Sequence, residues 1–191
     1  MNPRGLVPYA CLAVFLLHEL ALPLIAHSRR SGERRDQGSF STFRVAISAG
    51  FVLAFGFAHV EIVGLPIRLD GAWAVPVGVV IFCLGATLWV WAMRTLGQWF
   101  TRDVRVSGDQ TVVRTGPYAW VRHPSYTAML IEMIGIGLTL CSTLSLLLLF
   151  IPTLAATLYR VRVEERALRS ALGPAYAEYA SSVKRFVPHL F

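Results

Sequence analysis

The sequence predicts an all-α integral membrane protein with about five transmembrane helices and a cytoplasmic C-terminal helical region. Three observations predict it. Apolar runs long enough to cross a bilayer recur along the chain. Hydrophobic residues make up 55% of it and charged residues only 15%, against about a quarter charged in soluble domains. The arginines collect in alternate loops between the runs, which is how membrane topology is encoded. One aqueous core built from 191 residues could not hide so much apolar surface.

The first run, Leu6 to Ala26, follows Arg4. It is longer than the apolar region of a secretory signal and carries His18 and Glu19. It ends in His27-Ser28-Arg29-Arg30 rather than a small-residue cleavage site, so it reads as a retained helix. The second, Arg44 to Gly64, and the third, Ala72 to Met93, each reach the roughly 20 residues a span needs. Tyr126 to Cys141 and Leu144 to Tyr159 are shorter, and Ser142-Thr143 leaves almost no loop between them. These two predict a tight helical hairpin. The last helix is expected to continue past the lipid from Arg160 to Leu172, where Gly173-Pro174 stops it. Ala175 to Phe186 then reads as a short amphipathic helix with Tyr176, Tyr179, Ala180 and Val183 on one face.

Arginine placement sets the orientation. Arg29, Arg30, Arg34, Arg35 and Arg44 lie before the second run, and only Arg68 lies before the third. Arg94, Arg102, Arg105, Arg114 and Arg122 follow the third. The tail adds Arg160, Arg162, Arg166, Arg169, Lys184 and Arg185. The expected topology has the N-terminus outside and the C-terminus in the cytoplasm, within one membrane domain spanning residues 1–191. The net charge of +7 is explained by these flanking arginines, which argues against nucleic acid as a partner. Cys11, Cys83 and Cys141 sit inside apolar runs without metal-ligand spacing, so no metal site is expected.

Two polar stretches can carry chemistry. In Thr115–Tyr126, Gly116-Pro117 signals a turn, and Pro124 suits the first position of a helix. Such a helix start offers free N–H groups to a carboxylate or ribose. Tyr118, Trp120 and Tyr126 supply flat faces suited to an adenine ring or a sulfonium, and they also fit an interfacial aromatic belt. In Tyr159–Arg166, Arg160 and Glu164 share a helix face. There Arg160 could orient a substrate carboxylate and Glu164 could hold a cationic cofactor. Glu165 and Arg169 share another face and fit a solvated ion pair. Glu19, Glu61 and Glu132 lie deeper, where a carboxylate is costly. Glu132 could line a substrate cavity or make a polar pair with Glu19, His18 or His59. Gly135-Ile136-Gly137 lacks a preceding strand and a third glycine, so close helix packing explains it better than a dinucleotide loop.

Together these stretches resemble the isoprenylcysteine carboxyl methyltransferase family. The matching residues are Gly116-Pro117-Tyr118, Arg122-His123-Pro124-Ser125-Tyr126 and Glu164-Glu165. Leu168, Gly173, Tyr176, Tyr179 and Arg185-Phe186-Val187-Pro188 complete the set, which covers residues 94–191. The apolar runs predict three transmembrane helices within residues 1–93, and the resemblance implies that 94–191 form the cofactor-binding half. It implies that Gln110, Thr111, Val112 and Val113 line an S-adenosyl-L-methionine pocket through their backbone, with Tyr118 beside them. His123, Pro124, Ser125, Tyr126 and Glu164 would contact the same cofactor. Arg160 falls where the family has a substrate-contacting arginine, and Glu132 is carried as a substrate-side candidate. The expected catalytic residues are therefore Arg160 and Glu164.

The activity so implied is carboxyl O-methylation of a prenylated or similar lipophilic acid taken from the bilayer, in a prokaryotic inner membrane. A carboxylate is ionised at neutral pH and needs no general base, so positioning carries most of the catalysis. The alternatives are N-methylation of a phospholipid amine, an NADPH-dependent reductase of the sterol type, and a membrane protein that is not an enzyme. Ala128 stands where the family often has glycine, and the N-terminal helices carry no recognised motif.

Overall fold

A computed structural model describes residues 3–25, 33–34, 38–58, 68–99, 105–106 and 111–188. The described chain forms five α-helices: α1 (Val7–Ile25), α2 (Ser39–Gly56), α3 (Gly71–Leu96), α4 (Pro124–Thr139) and α5 (Thr143–Ser182). A two-residue antiparallel pair, β1 (Glu33–Arg34) with β2 (Arg105–Val106), is the only strand pairing among the described residues. Three helices, α2, α3 and α5, are long and apolar enough to cross a membrane. Helix α1 contributes the shorter apolar stretch Val7–Leu17, and α4 has 16 residues. Large apolar side chains such as Leu17, Val52, Val80, Leu84 and Ile151 face outward, the reverse of an aqueous surface.

Helix α2 begins five residues before the expected Arg44 and ends at Gly56. Gly38, at φ 74°, turns the chain into it, and the Arg44 guanidinium stands over the Phe40 ring at 5.8 Å. The arginine taken as a boundary is thus held within the helix by an aromatic one turn back. His59, Glu61 and Gly64 lie outside the described residues.

The hairpin between α4 and α5 is as tight as expected. Cys141 adopts φ 54°, its carbonyl accepts from Leu69 N–H at 2.9 Å, and the Ser142 hydroxyl caps α5 by accepting from Ser145 N–H at 3.2 Å. Helix α5 then runs 40 residues, twice the roughly 20 a bilayer needs. Gly173, at φ 55° and ψ −131°, breaks it where the Gly-Pro pair predicts, and the segment beyond ends at Ser182 rather than Phe186.

Helices α3 and α4 pack backbone against backbone. A Cβ added at Gly135 would stand 2.6 Å from Phe82 N and 2.8 Å from Phe82 Cα. Neither atom can yield without moving α3. Gly135→Ala is expected to separate the two helices and destabilise the fold by about 1–3 kcal/mol. A thermal melt in detergent reads this as a lower midpoint; an unchanged midpoint would refute the close approach. Phe15, Phe43, Phe82, Met129, Met133, Ile136 and Leu149 fill the core around this seam. Helix α2 lies along α5, with Ser145 Oγ donating to the Ala54 carbonyl at 2.7 Å.

Candidate active site

The site is built where α4 begins, beside the middle of α5. Pro124 is the first residue of α4, which puts Tyr126 in its first turn. Arg160 and Glu164 sit one turn apart on α5 and both reach the Tyr126 phenol. Arg160 Nε donates to Tyr126 Oη at 2.8 Å, and Tyr126 Oη donates to Glu164 Oε2 at 2.9 Å. The phenol therefore bridges a cation and an anion in one line.

Arg160 is buried, which an arginine tolerates only with partners. Besides Tyr126, its Nη1 donates to Ser39 Oγ at 3.1 Å. The guanidinium also stands over the rings of Phe40 at 5.2 Å and Phe43 at 5.8 Å. Phe43 meets Tyr126 edge-on at 5.9 Å. Sequence reasoning missed Ser39, Phe40 and Phe43, because the arginine-rich stretch before Arg44 reads as a loop.

Behind the bridge lies Glu165, 3% exposed and the hub of a second cluster. Its carboxylate accepts from Arg122 Nη2 at 2.9 Å and from Arg185 Nη2 at 2.9 Å, and it stands 3.3 Å from His123 Nε2. Arg169, the expected partner, reaches only 3.9 Å and is more than half exposed, so the solvated pair is replaced by a buried one. Burial works against ionisation of Glu165. Hydrogen bonds from His123, Arg185 and Arg122 outweigh it and hold the carboxyl well below the usual carboxylate range.

This cluster latches the C-terminal tail to the loop before α4. Arg122 N–H donates to the Lys184 carbonyl at 2.7 Å and His123 N–H to the Arg185 carbonyl at 3.1 Å. The Arg122 guanidinium reaches the carbonyls of Ala180 and Val183, and Thr127 Oγ1 donates to the Phe186 carbonyl at 3.1 Å. Tyr179 Oη donates to the Tyr118 carbonyl at 2.6 Å. The tyrosines expected on one face of the tail are therefore turned inward, and Tyr176 and Tyr179 are both buried.

The surrounding phenols are held neutral. Burial, then the Glu164 carboxylate, pushes Tyr118 well above the ordinary phenol range. Burial, then the charges of Glu165 and Glu164, does the same to Tyr176, and burial pushes Tyr179 up to about 12. Glu164 thus lies within electrostatic reach of three aromatic hydroxyls: Tyr118, Tyr126 and Tyr176.

The structure brings Tyr126, Arg160 and Glu164 into direct contact, with His123, Pro124 and Ser125 on the turn that starts α4. Thr111, Val112 and Val113 lead in as coil toward the turn at Gly116–Ala119; Gln110 lies outside the described residues. Glu132 is elsewhere. It is fully buried about 9 Å further along α4, against α3, where a Cβ on Gly85 would meet its Cγ at 2.7 Å. No cluster of His, Cys, Asp and Glu able to hold a metal occurs among the described residues.

Fold and site define an integral membrane enzyme whose polar centre lies at the end of its spanning helices. The sequence profile of the isoprenylcysteine carboxyl methyltransferase family matches residues 78–170. A probable protein-S-isoprenylcysteine O-methyltransferase of Oryza sativa subsp. indica is 30% identical over 95% of this chain and 94% of the relative. The cobalt-zinc-cadmium resistance protein CzcN of Cupriavidus metallidurans is 35% identical over 64% of this chain and 55% of its own length. The solved structure of the eukaryotic intramembrane Ras methyltransferase superposes with a TM-score of 0.69 at 25% identity, covering 100% of this chain and 69% of that one. The chain belongs to the isoprenylcysteine carboxyl methyltransferase family. It is a membrane methyltransferase, and a methyltransferase requires a methyl donor.

Proposed function

We propose that the chain transfers the methyl group of S-adenosylmethionine to the carboxylate of a lipophilic, isoprenylcysteine-like substrate. The observation that carries this is the Arg160–Tyr126–Glu164 line at the end of the spanning helices. It offers a fixed cation for an acidic acceptor and a carboxylate for a cationic donor within one contact chain.

The residues fit S-adenosylmethionine chemically. Glu164 is an anion among neutral phenols, suited to an ammonium or sulfonium, and Tyr118 and Tyr126 add flat faces. In the N-terminal turn of α4, Ser125 and Tyr126 come before the first intrahelical donor, Thr127, and their backbone N–H groups suit polar atoms of the nucleoside. Thr111–Val113 and Gln110 are assigned to the same pocket. When bound, the donor supplies an electrophilic methyl carbon.

The chain's own residues do the rest. Arg160 holds the acceptor carboxylate and fixes its approach. Tyr126 sets the spacing between Arg160 and Glu164. The apolar surroundings exclude water, which keeps the carboxylate oxygen reactive. Glu132 is kept as a substrate-side residue deeper along α4. The polar donor enters from the cytosol and the substrate from the bilayer, in one membrane domain with its N-terminus outside. A prokaryotic inner membrane is the location we assign.

A labelled-methyl assay tests the reading. Purified protein given S-[methyl-³H]adenosylmethionine and N-acetyl-S-farnesylcysteine is expected to form a methyl ester, whose label alkali releases as methanol. An N-methylated phosphatidylethanolamine keeps its label under alkali. Alkali-stable label on the amine lipid alone would refute carboxyl transfer.

A further inference from the structure

The N-terminal helices carry no recognised motif, yet the first turn of α2 touches the residue assigned to the substrate. From that contact we infer that Ser39, with Phe40 and Phe43, is a positioning element that fixes Arg160 for an anionic headgroup. This rests on the carboxyl-transfer reading above and deepens it.

The geometry is specific. Ser39 is fully buried, and its hydroxyl accepts from Arg160 Nη1 at 3.1 Å. Tyr126 Oη takes Nε on the other side at 2.8 Å. Two contacts at different nitrogens of a planar group fix both its position and its rotation about the Cγ–Cδ axis. Phe40 and Phe43 lie under the same guanidinium, and Phe43 also braces Tyr126. Ser39, Tyr126, Phe40 and Phe43 orient the guanidinium through a hydroxyl, a phenol and two rings, and add no charge of their own. A fixed cation attracts a carboxylate and repels an ammonium at the same spot. The first turn of α2 therefore selects acids over amines through Arg160, without touching the donor side at Glu164.

The test measures two affinities separately in full-length protein in detergent. N-acetyl-S-farnesylcysteine is titrated without donor, S-adenosylhomocysteine is titrated alone, and acceptor KM and kcat are then measured. Ser39→Ala is expected to weaken the prenylcysteine Kd and raise its KM by about tenfold or more, the loss of a hydrogen bond to a charged group. S-adenosylhomocysteine affinity and kcat stay within about twofold, since the lost contact lies on the acceptor side. Ser39→Thr, which keeps the hydroxyl, restores acceptor affinity. Phe43→Leu is expected to act in the same direction. An unchanged acceptor Kd in Ser39→Ala, or an equal loss of S-adenosylhomocysteine affinity, overturns the inference while wild-type ester formation leaves the carboxyl reading standing. Wild-type protein that methylates only phosphatidylethanolamine overturns both.

Discussion

Truncating Glu165 to alanine is expected to destabilise the protein by about 3–5 kcal/mol, because it leaves buried cations uncompensated. Arg122 has 8% of its side chain exposed and Arg185 34%, and both spend their guanidinium groups on this one carboxylate. Arg122 also holds the tail carbonyls of Ala180 and Val183, so the tail and the loop before α4 lose their common anchor together. In a chain of this size the midpoint of a detergent melt falls by about 2–4 °C per kcal/mol. Glu165→Gln keeps the shape and loses the charge, and is expected to fall between wild type and alanine. The pH dependence has a definite sign. The folded Glu165 carboxyl is held below its ordinary value of 4.5, so its stabilisation is fully present above that pH. It is lost as the pH falls from there through the depressed folded value. Glu165→Gln is expected to remove this acid-dependent part of the melting curve. A Glu165→Ala protein that melts like wild type at neutral pH would show that the latch is incidental.

The second large effect concerns catalysis and takes the form of a double dissociation. Arg160→Ala is expected to lower kcat/KM for a prenylcysteine by on the order of 10²–10³, the range for removing a charged group that orients and stabilises reacting oxygens. The affinity for S-adenosylhomocysteine is expected to hold, because the contact of Tyr126 Oη with Glu164, at 2.9 Å, does not include Arg160. Glu164→Gln is expected to do the opposite. Donor affinity falls by about 10–100-fold, as for a hydrogen bond to a charged group, and acceptor binding without donor is preserved. Radiometric kinetics and calorimetric titration of both variants separate the two roles. Equal losses of donor and acceptor affinity in both would mean that the Arg160–Tyr126–Glu164 line is a structural brace.

Much of this was legible in the sequence, and the parts that were not have physical reasons. The hairpin was legible because Ser142-Thr143 leaves no room for a loop, and the break in α5 because Gly173-Pro174 cannot continue a helix. The pairing of Arg160 with Glu164 was legible because four residues is a helical repeat; that Tyr126 joins them was not, since it lies 34 and 38 residues away. Glu165 was misread for the same reason. The local pattern offers Arg169 one turn on, whereas the real partners Arg122, His123 and Arg185 stand 43, 42 and 20 residues away. The start of α2 was hidden by charge. An arginine before an apolar run marks a membrane boundary, and Arg44 instead rides over Phe40 inside the helix. That concealed Ser39, Phe40 and Phe43, which the fold carries to Arg160 across 121 residues of sequence in the case of Ser39.

The central claim is that the start of α4 and the adjoining stretch of α5 form the pocket of a methyl donor. Calorimetric titration of the purified wild-type protein with S-adenosylhomocysteine, and separately with NADPH, tests it most directly. Saturable binding of S-adenosylhomocysteine at one site, with no saturable binding of NADPH, is the result the account predicts. Saturation by NADPH with no response to S-adenosylhomocysteine would contradict it.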